Sequence, residues 1–433
     1  MTQSLSPWRS ALDAPSVRTI VSVIAYAGVA ASLVPGGALL SFYLVAAFGF
    51  ASWLAGAELD PELRWVGLFL AGWYAVLLLI DLLNGGPLRE LVRPATNYFF
   101  LLALPSFAVG LRQLRLDLRI VERVAIGVVI LAVCWAVYQG IMVTTSQARG
   151  LKLGPAIFGM TVLTWSILLF SRALAAKPLD WQRGAVAAVG LIPLLLAGSR
   201  IVWACTILAI VVVIALWARS GRRWRSVAIA GLLVVVMALV AYQLPLTRNR
   251  VDIFALDIRS FANSGDTSGA SFGLRYEMAV SGLRAFLDHP WLGYGLSHVK
   301  EAALAHRDAN FTDFSFMPHL HNDYVTHLVA FGFLGVVFIL SVFGLTFWTA
   351  WRVADPGLRR FGAAISLAFP LFMTVDIVFN QDPMYGLLFF VFGLLLLPPR
   401  LPPPISILGK PATAPHSADA LPPPVPQREA DAH

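Results

Sequence analysis

Residues 191–218 read LIPLLLAGSRIVWACTILAIVVVIALWA, two apolar runs parted only by Gly198, Ser199 and Arg200. From Ile201 onward no charged residue interrupts the second run. A helix needs about 20 mainly apolar residues to cross the hydrocarbon of a bilayer. The stretch therefore reads as the end of one crossing and the whole of the next, with Gly-Ser-Arg as the turn. Ser199 is placed to cap the second helix. Arg200 falls in its first turn, where the helix dipole favours an anion over a cation. Either a lipid headgroup or a bound anion is needed beside it.

The rest of the chain repeats this pattern. Hydrophobic residues make up 58% of the 433 and charged residues 13%, and mean hydropathy is +0.74. Soluble globular proteins carry about a quarter charged residues, which excludes a set of water-soluble domains. Twelve apolar runs qualify as crossings, near 18–35, 38–57, 64–83, 94–111, 120–143, 154–175, 184–198, 201–218, 226–244, 323–350, 360–379 and 384–398. The fold class this predicts is all-α: a polytopic integral membrane protein of about 12 transmembrane helices with one long external loop containing amphipathic helices. Residues 1–244 hold helices one to nine, 245–322 the loop, and 323–398 the last three helices. Residues 399–433 form a Pro-rich tail that cannot build a core and reads as a disordered cytoplasmic extension. No small-residue cleavage site closes the first run, so it reads as an uncleaved anchor. Cys134 and Cys205 both sit in apolar runs and suggest no disulfide.

Basic residues test the count, because cytoplasmic segments of membrane proteins are enriched in Lys and Arg. With both ends inside, 20 of the 32 basic residues fall in cytoplasmic segments, Arg112, Arg172, Arg183 and Arg352 among them. The short external loops hold five: Arg89, Arg93, Arg149, Lys152 and Arg200. The remaining seven lie in the long loop. The net charge of +8 thus reports orientation before it reports partners, and nothing in it implies nucleic acid.

Within the loop, Gly273–Asp288 reads as an amphipathic helix with Glu277, Ser281, Arg284 and Asp288 on one polar arc. Arg275 instead projects into the apolar arc, near Ala279, Gly282 and Phe286. A guanidinium buried there must be paired with an acid or hold an anionic group of a substrate. The segment HPWLGYGLSH, His289–His298, stops the helix at Pro290 and offers Trp291 and Tyr294 to an interface. Its GxG is weak as a phosphate motif. PHLHNDYV, Pro318–Val325, then enters the tenth run. His319 and His321 are open to three readings: metal ligands without an evident third partner, a general base, or helix capping. No Walker, Rossmann or HExxH pattern is present. The first external loop, around Pro35–Gly37, has no carboxylate to hold a metal diphosphate, so arginines would have to neutralise any diphosphate.

Three patterns resemble the O-antigen ligase and polymerase superfamily: GSR at Gly198–Arg200, the run from Arg275 to Gly295 (RYEMAVSGLRAFLDHPWLGYG), and HLHNDYV continuing to GFLG at Gly335. The resemblance covers roughly 185–350, and the twelve-helix plan extends it by topology. It implies a GT-C-like enzyme in the bacterial inner membrane, with both termini cytoplasmic and the long loop and active site periplasmic. The donor would be a glycan on undecaprenyl diphosphate, the acceptor a sugar hydroxyl of lipid A–core, with membrane lipids around and no metal or other cofactor. By position, Arg200 and Arg275 resemble diphosphate-handling arginines and His321 the proposed base, with His319 beside it. His298, Tyr276, Trp291, Asn322, Arg89 and Arg93 join Arg200 and Arg275 as expected substrate contacts. The compact loop of 78 residues favours a ligase over a polymerase of O-antigen repeats or a protein O-oligosaccharyltransferase. A small-molecule transporter is the reading from a different class. Asp376 in the eleventh run and His327 in the tenth are its few intramembrane ionisable candidates.

Overall fold

A computed structural model describes residues 6–84, 88–142, 147–219, 243, 245–264, 271–309 and 313–397. Among them the regular structure is helical throughout, with no β-strand. Eight helices are long and apolar enough to cross a membrane: Pro15–Leu33, Gly37–Leu54, Pro61–Leu83, Pro94–Gln113, Leu118–Ile141, Pro155–Ala175, Arg200–Ala218 and Phe333–Arg352. Trp181–Leu196 and Asp382–Leu395 are apolar but shorter. The expected run 226–244 and the expected tail 399–433 lie outside the described residues, save Gln243.

Three expected runs take a different form. The run 323–350 is two helices, Asp323–Phe331 and Phe333–Arg352, broken at Gly332, whose φ is +60°. The run 184–198 divides at Gly190 into Trp181–Val189 and Leu191–Leu196. The run 360–379 is helical only to Phe372 (Pro356–Phe372), and residues 373–381 continue without a helix. Composition could not show this last stop. Its cause is a set of backbone hydrogen bonds made elsewhere, described below.

Helix starts and close packing follow local chemistry. Asp60, Asp180 and Asp355 are N-caps accepting from the backbone N–H of Leu63 (2.6 Å), Arg183 (3.1 Å) and Leu358 (2.9 Å). Pro61 and Pro356 then occupy the first helical positions, where no N–H is missed. Gly37–Leu54 and Phe100–Gln113 touch backbone to backbone. A Cβ on Gly49 would stand 1.8 Å from Ser106 O, and one on Gly110 would stand 2.5 Å from Val45 O. Small residues at such contacts supply the packing that drives helix association in lipid.

One end of the bundle collects ion pairs. Buried Glu122 meets Arg172 at 2.5 Å and Arg183 at 2.8 Å, and Arg172 also pairs with Asp355. Arg112 pairs with Asp60 and donates to Leu396 O (2.8 Å), and Arg352 reaches Glu62 (3.6 Å). These four arginines belong to the set that the charge pattern assigned to one side. The far end of Pro356–Phe372 lies about 25 Å away along its 17 residues, and the histidine motif is found there.

Candidate active site

The HND tripeptide, His321–Asp323, builds the centre of the site. Asn322 caps the Asp323–Phe331 helix by accepting from Val325 N–H (3.0 Å), while its Nδ2 donates to Thr374 O (2.9 Å). Asp323 is fully buried. Its N–H donates to Met373 O (3.0 Å), and its carboxylate accepts from Val378 N–H (2.5 Å) and Phe379 N–H (3.2 Å). These bonds hold residues 373–379 out of a helix and against the histidine segment.

Asp376 is thereby brought to the histidines, which is a correction to its placement in a transmembrane run. Its Oδ1 stands 3.7 Å from His321 Nδ1. Ile377 N–H (2.9 Å) and Gln381 Nε2 (3.4 Å) donate to the same oxygen and fix the carboxylate. The His319 and His321 rings are 4.2 Å apart, centroid to centroid. His321 holds φ at +51°, a left-handed conformation uncommon outside glycine and often stored at functional sites. Burial, then the neighbouring His321, pushes His319 down to about 4 against the opposing pull of Asp376. His319 is neutral at pH 7. The donor atoms of His319, His321 and Asp376 lie within 4.8 Å of one another, so the third partner missing from the HxH spacing comes from 55 residues downstream.

The two expected arginines stand differently. Arg200 opens the Arg200–Ala218 helix, and Ser199 takes the cap backbone without a capping side-chain bond. The anion that the dipole argument required is supplied in part by Asp257, 3.9 Å away on the Pro245–Ser264 helix. Gly159 packs on Val202, which sets the starts of Pro155–Ala175 and Arg200–Ala218 level. Because Arg172, near the other end of Pro155–Ala175, pairs with Asp355, Arg200 lies at the end of the bundle that carries Phe372 and Asp376.

Arg275 requires a correction. Its side chain is exposed rather than buried in an apolar arc, and Glu277 and Ser281 of the expected polar arc are fully buried. The Ser271–Asp288 helix is rotated so that Gly282 faces the core, where a Cβ would stand 2.4 Å from Val325 Cγ1 and 3.3 Å from Leu320 Cδ1. Close approach through a small residue wins over apolar periodicity, and Leu283, Leu287 and Tyr276 turn outward. The contact with Leu320, between the two histidines, joins the Arg275 helix to the site.

The glycine motif also has a use that its spacing did not disclose. Tyr294 N–H donates to Val329 O and Gly295 N–H to Ala330 O, both at 2.8 Å, and Phe333 N–H donates to Pro290 O (2.8 Å). The first two satisfy carbonyls at the C-terminal end of Asp323–Phe331, and the third satisfies an N–H in the first turn of Phe333–Arg352, groups that helix ends leave orphaned. Gly293, at φ +61°, has room for no Cβ, since one would lie 2.4 Å from Val329 O. The GxG clasps a helix end, and its backbone N–H groups are already engaged there. Trp291 beside it is 75% exposed. His298 stands at the N-cap of Val299–Ala305 without a capping side-chain bond. Nearby, buried Asp81 accepts from Leu296 N–H (2.6 Å), a partner that the sequence did not suggest. Arg89 and Arg93 lie on the Leu88–Asn97 helix, and their side chains fall outside the described residues. His327 is fully buried between Asp323 O (2.8 Å) and the Tyr98 hydroxyl (3.0 Å).

Fold and site together define a polytopic membrane protein, helical among the described residues, with a histidine–carboxylate centre at the end of the bundle opposite the Glu122–Arg172–Asp355 ion pairs. Residues 185–340 match the family described as O-Antigen ligase, so that segment is similar to the O-antigen ligase/polymerase superfamily, whose members are glycosyltransferase-like. No curated protein matches the chain. The matched segment contains Arg200, Arg275, His319 and His321 but stops short of Asp376.

Proposed function

We propose that the protein is an O-antigen ligase of the bacterial inner membrane, with both termini cytoplasmic and the histidine centre periplasmic. It transfers a glycan from undecaprenyl diphosphate to a sugar hydroxyl of lipid A–core. The observation that carries this reading is the His319–His321–Asp376 centre, set at the bundle end that also carries Arg200. In the reaction, the acceptor oxygen attacks the anomeric carbon from the face opposite the diphosphate. The bond to the diphosphate breaks, the configuration inverts, and the acceptor proton passes to His321. Such general-base assistance is worth typically 10²–10⁴-fold. Asp376 stabilises the imidazolium that forms, and neutral His319 adds no competing positive charge. Arg200 and Arg275 take up the negative charge of the leaving diphosphate, electrostatic work that needs no metal ion. Before the donor binds, Asp257 occupies part of the charge of Arg200. The exposed rings of Trp291 and Tyr276 offer apolar faces to sugars. His298, Arg89 and Arg93 extend the substrate surface, and Asn322 serves it by holding the Asp376 segment.

The sister activities, polymerisation of O-antigen repeats and transfer to protein hydroxyls, share the donor and differ in acceptor. The family match covers ligases and polymerases alike, and it is the compact loop of 78 residues that favours the ligase. Transport is disfavoured by His327, which is closed in by Tyr98 and Asp323 rather than open to a path. Reconstitution with purified lipid-linked glycan and separate lipid A–core and protein acceptors tests the reading. Transfer to lipid A–core is expected, and Arg200→Ala, Arg275→Ala and His321→Ala should each abolish it in protein that remains folded. Full activity of His321→Ala would remove the base assignment. Chain growth on the carrier lipid alone would replace ligase by polymerase.

A further inference from the structure

Two ring nitrogens of the histidine segment, His319 Nε2 and His321 Nδ1, are shielded from solvent and have no hydrogen-bond partner. Buried polar atoms are satisfied in the great majority of native sites, so two adjacent exceptions ask for a cause. Both histidines belong to the trio whose donor atoms lie within 4.8 Å of one another, the third being Asp376 with its carboxylate. Two imidazoles and one carboxylate form a donor set suited to zinc and its transition-metal neighbours, whereas calcium and magnesium favour oxygen ligands.

The spacing is close to what a metal requires. Bonds of about 2.0–2.2 Å put tetrahedral ligand atoms about 3.3–3.6 Å apart, and His321 Nδ1 to Asp376 Oδ1 is already 3.7 Å. His319 offers its donor atom within the same 4.8 Å. The surroundings are also those of ligands held in place. Ile377 N–H and Gln381 Nε2 orient the Asp376 carboxylate, the role that an outer shell plays at metal centres. Asn322 and Asp323 pin the two backbone segments together.

We propose that His319, His321 and Asp376 form a binding site for a zinc-class divalent cation, and that its occupancy switches glycosyl transfer off. A neutral imidazole has one nitrogen lone pair. A cation on His321 Nδ1 takes that pair and leaves the ring proton on Nε2, so the ring can no longer accept the acceptor's proton through either nitrogen. The inhibitory half rests on the base role of His321 proposed above, and the binding half does not.

The test uses full-length protein purified without a polyhistidine tag, stripped by chelator and titrated with Co²⁺ as an optical probe. The expected result is one equivalent bound with the visible absorption of four-coordinate cobalt, displaced by Zn²⁺. Asp376→Asn and His319→Gln should each weaken binding at least tenfold, while His289→Gln and His306→Gln leave it unchanged. In the transfer assay, Zn²⁺ should inhibit with the midpoint at which it displaces Co²⁺. Absence of a cobalt signal, or one that survives both cluster variants, overturns the site. Binding that leaves transfer untouched or raises it overturns the switch. Cobalt binding in a protein whose His321→Ala variant stays fully active would leave the site standing and remove the base role alone.

Discussion

The two ends of the bundle treat charge in opposite ways. At one, every acidic group named above meets an arginine: Glu122 has two, and Arg172 in turn has two acids. At the other, His321 faces Asp376 at 3.7 Å without a hydrogen bond, and His319 keeps a buried nitrogen unpartnered. The first arrangement holds helix ends together. The second leaves proton-accepting capacity in place while the backbone around it is tied down by Asn322 and Asp323. The contrast teaches that acids paired with arginines mark the scaffold here, and an acid facing two imidazoles marks the site.

That comparison is open to attack from either end. The largest effect should come from Asp376→Asn, which keeps the size of the side chain and removes the charge facing His321. Transfer is expected to fall about 10- to 100-fold in kcat, up to the lower end of the range of general-base assistance because His321 itself remains, with the acidic limb of the pH–rate profile moved. An unchanged profile would reduce Asp376 to packing. Next, Glu122→Ala strips Arg172 and Arg183 of a shared partner that is itself 3% exposed. A loss of about 2–3 kcal/mol in unfolding free energy is expected, at the lower end for broken buried pairs because both arginines keep a second acid. Transfer per folded molecule should be preserved. If instead activity fell and stability did not, the two ends would not be separable.

A smaller change is expected from Asn322→Ala, which deletes a helix cap worth about 1 kcal/mol. Because the same amide holds Thr374, its effect on kcat should exceed its effect on the melting temperature. The smallest is a pH effect. His319 titrates near 6.5 when unfolded and near 4 in place. The unfolded chain therefore binds the proton first, and the contribution of neutral His319 is complete above about 6.5 and lost as pH falls toward 4. Melting curves between pH 7 and 4 should slope less for His319→Gln than for the parent. Equal slopes would place His319 in water.

Much of this was legible from residue order. Apolar runs of crossing length, the side on which Arg112, Arg172, Arg183 and Arg352 gather, and the histidine pair all follow from one-dimensional patterns. Asp376 did not, although the sequence carried a trace of it in the polar cluster Asn380, Gln381 and Asp382 at the end of an apolar run. Hydropathy averages over 373–379 and cannot see that Asp323 takes its backbone N–H groups. The facing of Arg275 failed for a related reason. Periodicity assumes that apolar area decides which side of a helix turns inward, and at Gly282 the closeness of Val325 decides it.

The stitching of Asp323 to Val378 and Phe379, and of Tyr294 and Gly295 to Val329 and Ala330, sets the unit in which this protein can be exchanged. A chimera that imports a foreign segment over 245–322 brings new histidines to a carboxylate segment shaped for the old ones. It also brings a new glycine clasp to an unmatched helix end. The transplantable part is discontinuous: the 245–322 segment, the short helix Asp323–Phe331 and residues 373–379 travel together, and acceptor preference should move only with all three.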